Sequence, residues 1–315
     1  MEERYTFELS ENVTREHVSY KNRFGIKMAA DLYKAKDFDE NVKHSALVVG
    51  PPYGGSKEQS PGVYANQLAQ KGFVVLAIDP AFNGDSEGET RHLSSPEMFA
   101  EGFSAGVDYL GTRVGVDREK IGAIGICGSG GFALSAAAMD SRIKAVATAS
   151  MYDIGVMFES MAPTPEARQG MIDQLSRKRW DDFENGVAEY IPSFPAEPLD
   201  AVPEGLDQVI AEFFSYYGLK RGHHPHALGN FTTTSPLSFL NYPLLSHIDT
   251  IAPRPILMIM GDNAHSKAFS EIAYAAAKEP KELYVVPDCI HIDLYDRLDK
   301  IPFNKIEAFF KDALK

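Results

Sequence analysis

The chain has 315 residues, a formal net charge of −13 and 44% hydrophobic residues, enough apolar material for one core and a further segment laid over it. The acidic balance argues against nucleic acid and anionic membrane surfaces as partners. Two cysteines exclude a disulfide framework, and the polar stretch from Met1 to Lys21 suits neither a signal peptide nor a spanning helix, so cytoplasmic residence is expected.

In chain order, His17–Tyr20 and Ile26–Tyr33 flank an Arg23-Phe24-Gly25 turn and predict an antiparallel hairpin at a sheet edge. A strand at Ala46–Val49, a helix around Tyr64–Gln70, a strand at Phe73–Asp79, a helix from Ser95 to Leu110 and a strand at Lys120–Ile124 follow. This alternation predicts an α/β fold, a mostly parallel central sheet flanked by helices. Lys144–Ser150, Pro255–Met260 and Leu283–Pro287 read as further strands. In the closing run, Phe303, Ile306, Phe309, Phe310 and Leu314 share helical spacing and should pack on the sheet.

The junction Gly125-Ile126-Cys127-Gly128-Ser129-Gly130-Gly131 joins the Lys120–Ile124 strand to the helix-like Phe132–Ala138. Small residues around a nucleophile are what a strained strand-to-helix turn requires, and the following helix turns its N-terminal dipole toward the sulfur, favouring a thiolate. A phosphate-binding loop would need a lysine after its last glycine, and a dinucleotide loop a different glycine spacing. Cys127 is therefore read as an attacking thiol. Its base should follow in the order nucleophile, acid, histidine. Gly261-Asp262-Asn263 ends one strand and His291 lies in the loop past another, giving Cys127, Asp262 and His291 in that order, with Asp153 as the rival acid. The imidazole would take the thiol proton, and a carboxylate would hold the ring's tautomer. Oxyanion donors are expected from the N–H of Gly128 and from the loop after Ala46–Val49. Pro51 and Pro52 lack an N–H, which leaves Tyr53 or Gly54.

Between Asp153 and Asn241 the alternation breaks, in a stretch holding the only tryptophan, Trp180. A helical cap over residues 153–241 is expected, with 1–152 and 242–315 as the core. The tract His223-His224-Pro225-His226 lacks carboxylate or cysteine ligands at a usable sequence spacing and reads as a loop, so no metal site is expected.

Taken together, Gly125–Gly131, Ala264-His265-Ser266, His291-Ile292-Asp293-Leu294-Tyr295-Asp296 and Gly54-Gly55-Ser56-Lys57-Glu58-Gln59 resemble motifs of the dienelactone-hydrolase-like branch of the α/β hydrolases, over most of the chain. The resemblance implies a Cys-His-Asp hydrolase of esters, lactones or thioesters that acts on a small-molecule acyl substrate through an acyl-thioenzyme and needs no cofactor. Many relatives place the acid three residues after the glycine, where this chain has Ala264, so Asp262 rests on a shifted match. Acyl transfer on the same residues, or a non-catalytic binding role, are the rival readings, and a homodimer is compatible with each.

Overall fold

Val74–Ile78, the run Val-Val-Leu-Ala-Ile, is buried at every position, as a strand covered by helices on both faces must be. A computed structural model describes residues 4–315 and builds this strand into a single eight-stranded sheet. The strands are β1 (Val13–Lys21), β2 (Lys27–Ala35), β3 (His44–Gly50), β4 (Val74–Ile78), β5 (Val116–Ile126), β6 (Ile143–Ala149), β7 (Ile256–Gly261) and β8 (Lys281–Val286). Their order is β1-β2-β4-β3-β5-β6-β7-β8; β1 and β2 form the antiparallel hairpin, β2 joins β4 antiparallel, and every later pairing is parallel.

Successive residues of the central strands feed two separate cores. Ala46, Val48, Leu76, Ala123 and Met258 face one side with α2 (Pro96–Leu110) and α3 (Ser129–Met139), whereas Leu47, Val49, Val75, Ile124 and Leu257 face the other with α1 (Ser60–Ala69). The C-terminal helix Phe303–Ala313 joins that second core through Phe303, Ile306 and Phe310, the helical spacing anticipated from the sequence. Ser95, whose side chain accepts the Met98 N–H, caps α2, and a proline in the first turn assists it.

Between β6 and β7 the chain forms α4 (Ile154–Ser160), α5 (Pro165–Asn185), α6 (Gln208–Tyr217) and α7 (Pro236–Phe239). Helices α4 and α6 line a cavity over the carboxyl ends of the strands, while α5 buries only Leu175 and leaves Trp180 exposed. Beyond β7 lie α8 (Lys267–Ala276), the single turn α9 (Asp293–Asp296) and the C-terminal helix, α10. Among the described residues, no helix is long and apolar enough to cross a membrane.

The loop after β3 is fixed by an ion cluster. Lys57, 1% exposed, sets its ammonium against Glu58, against Asp79 at 3.1 Å and against Asp85 at 2.5 Å. Asp79, at the end of β4, also accepts the backbone N–H groups of Lys57 (2.8 Å) and Asp85 (2.9 Å), so one buried carboxylate ties two loops together. Gln59 anchors the same loop to the carbonyl of Gly222. Because removal of one partner leaves a buried charge uncompensated, Lys57→Met should cost about 3–5 kcal/mol in urea unfolding, and a loss under about 1 kcal/mol would show that the cluster does not hold the loop.

Candidate active site

Cys127 adopts φ 53° between β5 and α3, a left-handed conformation that projects the thiol out of the turn. The turn requires glycine beneath it, since a Cβ on Gly125 would lie 2.1 Å from the carbonyl oxygen of Ser129. The Cys127 carbonyl accepts the Gly130 and Tyr152 N–H groups, both at 2.9 Å, so the strained residue is held from two sides. The backbone N–H groups of Tyr53 and Gly128 lie close enough to the sulfur to favour its ionised form. Tyr53 and Gly128 are two of the three oxyanion candidates; the third, Gly54, takes φ 82°, a conformation that favours glycine. The sulfur opens on a cavity of about 270 Å³ lined by Tyr53, Tyr152, Met157, Phe194, Phe213 and Phe231 among others.

His291, fully buried, stands beside this cavity with both ring nitrogens occupied: Nδ1 lies 2.6 Å from Ser266 Oγ and Nε2 lies 2.9 Å from the Tyr295 hydroxyl. Asp262 is not its partner. The Asp262 carboxylate instead accepts the backbone N–H of Cys289 at 3.1 Å, which welds the loop after β7 to the loop after β8. Contact between those loops is so close that a Cβ on Gly261 would lie 2.1 Å from the Cys289 carbonyl oxygen. The rival acid, Asp153, caps α4 by accepting the Val156 N–H. Ser266, within the quoted Ala264-His265-Ser266 motif, thus holds the place expected of a carboxylate. His265 pairs with Glu212 at 3.1 Å, and Glu212 also accepts the Ile292 N–H, bracing the loop that carries His291. Cys289 is wholly buried in the second core.

Folding brings Glu58 toward His224 and His226, a grouping the linear spacing concealed. The donor set does not suit a metal ion. His224 Nδ1 accepts the His226 N–H at 3.2 Å, so the ring proton sits on Nε2, the atom facing Glu58 Oε2 at 4.0 Å. Lys57 already neutralises the other carboxylate oxygen of Glu58.

Burial sets the protonation of the site. It lowers the pKa of His291 well below the ordinary imidazole range, with His265 adding to the effect, and raises that of the Cys127 thiol despite hydrogen bonds from Tyr295, Tyr53 and Gly128. Desolvation outweighs these opposing contacts, so the resting pair is neutral thiol and neutral imidazole, contrary to the thiolate expected from the sequence. Alkylation of Cys127 by iodoacetamide should therefore keep rising with pH beyond about 8.5, the ordinary thiol pKa. A plateau of fast alkylation near pH 6 would instead reveal a thiolate–imidazolium pair.

The family model described as "Dienelactone hydrolase family" matches residues 32–158. The uncharacterized protein PA2218 of Pseudomonas aeruginosa is 48% identical over 98% of this chain and 83% of its own length. Its crystal structure superposes with a TM-score of 0.93, at 46% identity, over 98% of this chain and 97% of that one. Polyketide transferase grgF of Penicillium sp. is 25% identical over 81% of this chain and 84% of its own, and thiohydrolase aneE of Aspergillus aculeatus is 25% identical over 80% and 77%. These matches and the fold support hydrolase or acyltransferase activity. The chain belongs to the dienelactone hydrolase family, within the α/β hydrolases.

Proposed function

We propose that the protein cleaves esters, lactones or thioesters of apolar carboxylic acids through an acyl-thioenzyme on Cys127. The observation that carries this reading is the elbow thiol itself, buried in the lining of an aromatic cavity with two backbone N–H groups close to the sulfur. When Sγ attacks an acyl carbon, the carbonyl oxygen becomes an oxyanion close to the sulfur, and the N–H groups of Tyr53 and Gly128 are the nearest fixed donors. His291 receives the thiol proton and returns it to the leaving group, while Ser266 holds Nδ1 and so fixes the ring. Water then attacks the thioester, with the imidazole as base.

Acyl transfer is the second reading, favoured by the lining of the cavity, where Phe194, Phe213, Phe231 and the tyrosines offer an apolar berth to an organic acceptor. Both readings share the first half of the cycle and divide on whether water or an alcohol or amine takes the acyl group. The names of the relatives, a thiohydrolase and a polyketide transferase, span the same division.

The test is a panel of p-nitrophenyl esters and acyl thioesters of graded chain length, with intact-mass detection of acyl-enzyme. Wild type should gain one acyl mass, whereas Cys127→Ala gains none and loses turnover. Absence of an adduct and equal rates for the two proteins would defeat the reading. Ser266→Ala should lower kcat about 10-fold to 100-fold with little change in KM, because the ring loses its orienting partner while the cavity keeps its shape.

A further inference from the structure

The imidazole and the thiol are not hydrogen-bonded to each other; the phenol of Tyr295 lies between them. Its hydroxyl is 2.9 Å from His291 Nε2, and its side chain lines the same cavity as Cys127, close enough for the phenol and the thiol to perturb each other's ionisation. We propose that Tyr295 is a catalytic residue that relays the proton between Cys127 and His291, an inference that rests on the acyl-thioenzyme reading above.

The surroundings make direct Cys–His transfer costly. His291 is fully buried, and besides its two ring contacts its carbonyl accepts the Ser150 hydroxyl at 2.9 Å. The rings of His265, Tyr152 and Phe213 pack on the imidazole with centroids 4.8, 5.3 and 5.3 Å away. To reach the sulfur the ring would have to give up Ser266 and this packing. Tyr295 is held as firmly, fully buried with the ring of Tyr216 set edge-on at 5.1 Å. Tyr295, in the single turn α9, follows His291 by four positions, and the turn brings its hydroxyl back to the imidazole.

The step balances without a further reactant. As the Sγ–acyl bond forms, the thiol proton passes to the Tyr295 oxygen and the phenolic proton passes to His291 Nε2, so the phenol stays neutral throughout and the imidazole becomes imidazolium. Collapse of the tetrahedral intermediate breaks the bond to the leaving group, which takes its proton back along the same path. A tyrosine suits this task because its hydroxyl both donates and accepts.

The experiment measures the single-turnover acylation rate by stopped flow with a p-nitrophenyl ester, and the adduct on Cys127 by intact mass, for wild type and Tyr295→Phe. The relay predicts a loss of about 100-fold or more in acylation rate, with the ester concentration for half-maximal rate unchanged. Acylation of Tyr295→Phe at the wild-type rate or faster would overturn it, marking the phenol as a gate; the acyl-thioenzyme reading would survive, since wild type still forms the adduct. No adduct on wild type would sink both. Should Tyr295→Phe fail to fold, 3,5-difluorotyrosine placed at position 295 keeps the shape and acidifies the phenol. A shifted acylation rate and pH profile then support the relay, and an unchanged profile overturns it.

Discussion

The left-handed turn at Cys127 is the constraint around which the molecule is arranged. A strand must end, reverse direction and enter a helix within a few residues, and the approach is so tight that position 125 has no space for a Cβ. That turn places sulfur at the end of the central strand β5, directs the start of α3 toward the reacting atoms, and lets the Tyr53 and Gly128 N–H groups meet there. The strain is tolerated because neighbouring strands and loops hold the Cys127 carbonyl and amide in place.

Around this point the protein uses burial to govern charge. Neither the thiol nor the imidazole keeps a charge at rest, since each would lose hydration with no opposite charge to replace it. The site thus stores no preformed thiolate. Charge is buried where it is structural. The Lys57 cluster supplies both signs at once and fixes the loop that presents the Tyr53 N–H, so electrostatics outside the cavity sets geometry inside it.

The segment between β6 and β7 completes the arrangement by closing the cavity with Ile154, Met157, Ile210 and Phe213. A largely apolar wall lowers the local dielectric and so strengthens the electrostatic contacts made at the sulfur.

The sequence by itself determined the α/β fold, the edge hairpin and the elbow turn, because each depends on local periodicity or on steric demands within a few residues. Even the C-terminal helix was legible, since Phe303, Ile306 and Phe310 lie on one face whatever they pack against. Only the tertiary structure decided the partner of His291. Asp262 and Ser266 both follow β7, and the choice between them turns on which loop backbone captures the carboxylate, a contact between segments distant in the chain. Tyr295 lay inside a quoted motif, yet its meeting with both His291 and the Cys127 cavity depends on three elements coming together; the same holds for Glu58 beside His224 and for the neutral thiol. Sequence spacing carries backbone geometry well, but side-chain pairing and burial across the fold are fixed only when the layers close.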